Sequence, residues 1–475
     1  MQLGPPRMKS RFVSSLCVLL LLAGCGRGSR PPHIIILLID TLRHDRVGVY
    51  GTRKLTPFID SFAERAYVFE HAYAQSSWTN PSVASLLTSR FQSQHGVIWF
   101  NSLLSQEELT LPEVLKQRGY RTAGYSANFL VHGPSGFNQG FDVYQSYSRQ
   151  RPEEPPGRRF IKERAERLNA EALSWIDSFG GVPEQRPPLF LYMHYMEPHN
   201  PYDPPDEILD RVLGGRPRPN RDLANGDMNV ILPTLGPVRI QGIEDLYDAE
   251  VMSIDARVGE FVAELEKRKL LDDTILVITA DHGEELTDHG LLGHHKTLFE
   301  EVIHVPLLLR VPGQLTRVDV KQLVMLTDLA PTLLSLAGID IPPSFEGRAL
   351  TNGVVAQGML GMLQLWWSGI DENGPPAFSE LIRPAEMKRI SPHERAVVVR
   401  KSKLIAGVDG EREFYDLATD AKEQGASDLA QTERNRLSDT LTSFLARMKE
   451  RAAPGAVRQL DSETKERMRA LGYHE

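Results

Sequence analysis

Along this chain, unbroken apolar runs alternate with stretches in which apolar positions recur every three or four residues. Ile34 to Ile39 is continuous and mostly β-branched, and Pro188 to Tyr195 and Thr274 to Ala280 have the same texture. Such runs predict strands buried on both faces, as in a parallel sheet covered by helices. Val305 to Arg310 predicts another strand, and Arg121 to Asn128 a strand entering a glycine-containing loop. Helical spacing predicts a helix opening at Thr56-Pro57 and further helices over 160–178, 244–268 and Thr327 to Ala337. Strands separated by helices imply an α/β fold with a large, mainly parallel central sheet. From about residue 375 the texture changes. Residues 395–400, 403–406 and 413–415 read as short strands in hairpin order, with a helix near 436–449. This predicts a smaller C-terminal α+β subdomain. Pro, Gly and Asn crowd residues 200–240, which predicts a long surface excursion, and 151–158 predicts a surface break.

Ser76-Ser77-Trp78-Thr79-Asn80-Pro81-Ser82-Val83-Ala84-Ser85-Leu86-Leu87 predicts a short helix with Val83, Leu86 and Leu87 on its apolar face. Asn80 is a favoured N-cap and Pro81 suits the first helical position. That places the Thr79 hydroxyl just before a helix N-terminus, beside unpaired N–H groups that attract anions. Taken alone this describes an ordinary cap.

Three strand ends give Thr79 company. Asp40 follows the first apolar run, Asp281-His282 the third, and His199 lies in the Pro-rich loop after the second. Carboxyl ends of parallel strands share one edge, where α/β folds bind their ligands. Two carboxylates, a hydroxyl and an imidazole suit a divalent cation. Coordination would make Thr79 a nucleophile.

Composition narrows the partners. The 475 residues have 41% hydrophobic and 24% charged content, ordinary for a globular chain. A formal net charge of −8 argues against nucleic acid, since no basic surplus exists to neutralise phosphates. The two cysteines, Cys17 and Cys25, both lie in the first segment, so the globular part has no disulfide and no cysteine ligand. Met8-Lys9-Ser10-Arg11 followed by the apolar run Phe12 to Leu22 has the layout of a secretory signal. The ending Leu22-Ala23-Gly24-Cys25 resembles the lipobox of bacterial lipoproteins. This implies a signal peptide over 1–25, a lipid anchor at Cys25, a tether over 26–32, and an exported protein held at a membrane facing the periplasm or cell surface.

The motifs HIIILLIDTLRHDRVGVYG, LTPFIDSFAERAYVFEHAYAQSSWTNPSVASLLTSR, FLYMHYMEPHNPYDPP, ITADHGEELTDHG, HVPLLLRVPG, DLAPTLLSLAGI and EFYDLATD, in this order, resemble the sulfatase family of the alkaline phosphatase superfamily. The resemblance implies an alkaline phosphatase-like catalytic domain over 33–345 and a C-terminal subdomain over 346–475. It implies Asp40, Asp281 and His282 as metal ligands, with Thr79 as the metal-bound nucleophile. It implies His199 as a contact of the substrate anion or its leaving oxygen, and His294, with Lys296 second, as a cationic substrate contact. His289 and His295 read as loop-packing residues. The cation would be calcium, manganese or zinc. Sulfatases of the formylglycine type carry Cys or Ser in C/S-x-P-S-R, whereas this chain has Thr79-Asn80-Pro81-Ser82-Val83. Threonine gives no aldehyde, and metal-bound threonine is used by phosphoryl-group relatives. The resemblance therefore implies a metal-dependent hydrolase of anionic esters, phosphate ahead of sulfate. The alternatives are a sulfuric ester hydrolase, a phosphoethanolamine-type transferase, and a non-catalytic lipoprotein binding a glycan or lipid headgroup.

Overall fold

A computed structural model describes residues 30–147, 162–180, 186–221, 236–352, 374–383, 393–425, 427–449 and 456–457. The expected signal peptide, Cys25, most of the tether and the expected break at 151–158 lie outside the described residues.

The three apolar runs form the centre of one sheet. β1 (His33–Ile39) lies between β5 (Leu189–Tyr195) and β6 (Thr274–Thr279), parallel to both. β1 and β5 are buried throughout, so they need apolar side chains on both faces. β3 (Arg121–Ser126) pairs in parallel with β5, and β4 (Val143–Ser146) with β3. On the other side the sheet turns antiparallel: β8 (Leu307–Arg310) joins β6 to β2 (Tyr67–Tyr73), and β7 (His304–Val305) also pairs with β2. β9 (Val318–Met325) pairs with β2 in parallel. The sheet is thus large and mainly parallel, as expected.

Several elements depart from the sequence expectation. The apolar stretch 305–310 is broken into β7 and β8 at Pro306, which cannot donate a ladder hydrogen bond. β9 has no counterpart in the sequence reading, because the alternation of Val318-Asp319-Val320-Lys321 is cut short by a register shift between Val320 and Leu323. The excursion at 200–240 holds a helix, Asp206–Leu213, and gives way to the long helix Pro237–Lys267, which starts before residue 244. Pro237 at its first turn and Gly236 before it form the start signal.

A second, antiparallel sheet runs β10 (Ala377–Glu380), β11 (His393–Val399), β12 (Ser402–Gly407) and β13 (Arg412–Asp416), with the helix Gln431–Lys449 packed on β11 and β12. Pro32–Glu475 is one compact unit. Buried polar ties join the two sheets. Ser379 Oγ donates to Ala74 O, the Glu380 N–H to Gln75 O, and buried Lys403 bonds Glu300 (2.9 Å) and Glu423 (2.8 Å). His289 Nδ1 lies 2.6 Å from Glu301 Oε1 and Nε2 lies 3.1 Å from Glu423 O, so both ring nitrogens face acceptors. Two acceptors require the doubly protonated ring. Burial opposes the charge, but Glu301 outweighs it and lifts His289 to about 9.

A group raised on folding stabilises most below its unfolded value near 6.5, and the contribution is lost as pH rises through about 9. His289→Asn is expected to cost about 1–2 kcal/mol at pH 6, a figure reduced for the partial exposure of the ring, and close to nothing at pH 10. Urea unfolding of both proteins at the two pH values measures the difference.

Candidate active site

Asp40 and Asp281 leave the carboxyl ends of adjacent parallel strands, where Leu38 is level with Thr279. Both are fully buried. Each has one oxygen held and one without a donor. Asp40 Oδ2 accepts from Asn128 Nδ2 (2.6 Å) and lies 3.1 Å from His194 Nε2, while Oδ1 has no hydrogen-bond partner. Asp281 Oδ1 accepts from the N–H groups of Thr41 (3.3 Å) and His282 (3.0 Å), while Oδ2 has none. Burial, and then the Asp40 charge, push the Asp281 carboxyl up to about 6. Burial also acts upward on Asp40, but the His194 hydrogen bond and the surrounding imidazoles outweigh it and hold that carboxyl well below the usual range. Like charges buried side by side disfavour joint ionisation, and a cation between them removes the conflict. Asp40, His194 and Asp281 each offer a ligand atom, all within 4.8 Å of one another.

The tautomers sort the two histidines. His194 Nε2 faces a carboxylate oxygen, so it carries the hydrogen and donates to Asp40. His282 Nδ1 lies 2.8 Å from Gly283 O and must donate there, which makes Nε2 a lone pair. That lone pair lies 3.3 Å from Thr79 Oγ1, 3.4 Å from Asp281 Oδ2 and 3.7 Å from Asp40 Oδ1. An acceptor among acceptors, with two orphaned carboxylate oxygens, is the donor set of a divalent cation. Gly283 is required by close approach: a Cβ there would lie 2.0 Å from Glu301 O.

Thr79 is brought to this cluster by the helix Thr79–Thr88. The cap is not Asn80. Trp78 is extended, its carbonyl accepts from the Ser82 N–H (3.4 Å), and helical geometry begins at Thr79. Pro81 is therefore the third helical residue, which is tolerated because first-turn N–H groups are unpaired in any helix. Ser82 Oγ donates to Asp281 O (2.6 Å) and ties the helix start to the strand end. Asn128 Nδ2 lies 3.4 Å from Thr79 Oγ1. Thr41 and His295 flank the cluster with left-handed backbone (φ 55° and 62°), a conformation that costs non-glycine residues energy and gathers at functional sites.

The other expected residues divide. The His294 ring is 4.6 Å from that of His282 and 4.9 Å from that of His199, so all three share one wall. His294 Nδ1 lies 2.8 Å from Glu284 Oε1, and Tyr202 donates to Glu284 Oε2 (3.1 Å). Burial pulls His294 far below the usual histidine value, and the His282 and His199 charges add to this. Burial likewise lowers His199, whose Nδ1 lies 2.5 Å from Asn200 O and whose own carbonyl accepts from Lys162 Nζ (2.9 Å). Lys296 Nζ donates to Leu292 O within its own loop and lies near the charges of Glu284 and Glu285. His289 packs between loops, as expected, and the His295 N–H donates to Ser77 O (2.9 Å) beneath the Thr79 segment.

Asn128, His194 and Glu284 were not among the expected site residues. Asn128 follows β3 at the same sheet edge as Asp40, a position the strand-end rule would have flagged. His194 lies inside β5, where only the face it points to reveals its role. Glu284 sits two residues past His282, masked by its acidic neighbours.

The family profile described as Sulfatase matches residues 32–339, more than half of the chain. An arylsulfatase of Clostridium perfringens is 25% identical over 447 residues, covering 82% of this chain and 89% of its own. Iduronate 2-sulfatase of Homo sapiens is 26% identical, covering 66% and 70%. Among solved structures, a protein bound to its substrate D-glucosamine-2-N,6-O-disulfate superposes with a TM-score of 0.68 at 20% identity, over 89% of this chain and 98% of that one. A phosphonate monoester hydrolase of Agrobacterium radiobacter gives 0.67 at 19% identity, over 90% and 100%. The structural likenesses establish the fold. With the profile match and the Asp40–Asp281 cluster, they mean that the chain belongs to the sulfatase family and is an ester hydrolase of the alkaline phosphatase superfamily.

Proposed function

We propose that this protein cleaves an anionic phosphate ester through a covalent intermediate on Thr79. The observation that carries the reading is the buried Thr79 hydroxyl at a helix N-terminus, 3.3 Å from the His282 lone pair and beside two carboxylates with orphaned oxygens. Asp40, Asp281, His282 and Thr79 would hold one divalent cation, and His194 would orient Asp40 from behind. When bound, the cation supplies the charge that favours ionised Thr79 oxygen and neutralises the ester oxygens. Thr79 gives up its hydroxyl proton to solvent; its Oγ then forms a bond to phosphorus as the ester P–O bond breaks, and the departing oxygen takes a proton from His294 or His199. Water then attacks the phosphothreonine, giving one proton back to that histidine as the Oγ–P bond breaks; phosphate is released and solvent reprotonates the Thr79 oxygen. The N–H groups of the first helical turn stabilise charge on the non-bridging oxygens. A second acceptor hydroxyl in place of water would make the same site a phosphoethanolamine-type transferase. Sulfate ester hydrolysis is the second reading, favoured by the arylsulfatase and iduronate 2-sulfatase relatives.

The imidazole in the donor set favours manganese or zinc over calcium. Glycan-directed relatives make a glycan ester the leading substrate, with a lipid headgroup as the other choice. In this reading residues 33–345 are the catalytic domain and 346–475 a subdomain that shapes the pocket. The chain is exported and held at the membrane through Cys25.

Two outcomes are expected. The purified protein, supplied with manganese, zinc or calcium in turn, should hydrolyse aryl phosphate in preference to aryl sulfate, and Thr79→Ala should lower kcat at least about 10³-fold. Full turnover by the variant would contradict the threonine mechanism, and faster sulfate cleavage would favour the second reading. Separately, Asp281→Asn should lower the manganese retained after dialysis from one equivalent per chain toward none, measured by elemental analysis, because an amide oxygen is a weaker, neutral ligand.

A further inference from the structure

Arg383 follows β10, and none of its guanidinium nitrogens has a hydrogen-bond partner among the described residues. Its side chain is 6% exposed, and Nε, Nη1 and Nη2 are all buried without a hydrogen-bond partner. A guanidinium is the most donor-rich side chain, and leaving one unpaired in the interior is costly. Burial pulls Arg383 down only to about 10, so it stays charged at neutral pH. The acid whose charge acts on it is Glu285, whose Oε1 already accepts from Thr297 and which makes no hydrogen bond to the guanidinium.

The backbone fixes where this charge sits. Ser379 and Glu380 bond to Ala74 and Gln75 in ascending order, so the chain after β10 runs alongside the segment that leads to Thr79. Both backbone polar groups of Ile382 are held by the Gln92 side chain. The Arg383 charge acts on His295, whose N–H is bound to Ser77 and whose neighbour His294 stands against His282 and His199. Arg383 thus acts on His295, whose ring lies 5.5 Å from that of His294, which in turn lies 4.6 Å from that of His282.

We propose that Arg383 binds a second anionic group of the substrate, separate from the ester that is cleaved, so that the natural substrate carries at least two negative groups. The inference rests on the ester-hydrolase reading above. A carboxylate, sulfate or phosphate supplies the paired oxygens that match the guanidinium fork. The second sheet thereby selects the substrate while the first performs the chemistry.

The test uses the metal-loaded full chain with phenyl phosphate and the 2-, 3- and 4-carboxyphenyl phosphates, each beside its sulfate counterpart. Wild type is expected to favour one carboxyphenyl isomer. Arg383→Met should raise KM for that isomer on the order of 10–100-fold, leave kcat within about 2-fold, and leave phenyl ester kinetics unchanged. Arg383→Lys should recover part of the loss. The ligand-free melting temperature of Arg383→Met should equal or exceed that of wild type, because an unpaired buried charge is gone. Absence of isomer preference, an equal loss on phenyl and carboxyphenyl esters, or a fall in melting temperature without a KM effect would each overturn the inference. Should wild type cleave none of these esters, the reaction proposed above fails, and calorimetric binding of the same compounds decides separately. Carboxylate-dependent affinity lost in Arg383→Met supports the anion site, and equal affinity in both proteins refutes it.

Discussion

Two carboxylates held side by side at the ends of buried parallel strands cannot both ionise comfortably without a cation. Asp40 and Asp281 meet this constraint because the register of β1 with β6 leaves them no other place. The surrounding groups make sense as responses to it. His194 and Asn128 hold one oxygen of Asp40, two backbone N–H groups hold one oxygen of Asp281, and His282 presents a lone pair rather than a hydrogen. The oxygens left over define where positive charge belongs.

The proposed nucleophile is positioned by a different device. Thr79 sits on a helix start fixed by Ser82 to the end of β6, and the segment before it is gripped on both sides. His295 bonds Ser77, while β10 of the second sheet bonds Ala74 and Gln75. The smaller sheet therefore helps hold the Thr79 segment in place, and Arg383 follows its first strand. Buried Lys403 and the charged His289 join the two parts through Glu300, Glu301 and Glu423.

Much of this was legible in the sequence because burial on both faces leaves a plain signature. Runs such as Ile34–Ile39 and Thr274–Ala280 announce central strands, and a lone acid at the end of each announces a ligand edge. Local signals served less well where tertiary contacts decide. The helix at Thr79 begins two residues early because Trp78 is extended and buried, overriding the cap preference of Asn80. β9 alternates only over Val318 to Lys321 before a register shift breaks the pattern, so too short a period marks it. Asn128, His194 and Arg383 are ordinary residue types in ordinary positions. Their surroundings come from register and from packing between distant segments, with Asn128 and His194 meeting Asp40 across 88 and 154 residues, which no local pattern encodes.

The central claim is that Thr79 becomes covalently phosphorylated during turnover. The most direct measurement is peptide mass spectrometry after rapid acid quench of the metal-loaded protein with an aryl phosphate. A phosphoryl group is expected on the peptide containing Thr79, formed and consumed at rates that match turnover. Turnover with Thr79 unmodified, or with the phosphoryl group on another residue, would contradict the account.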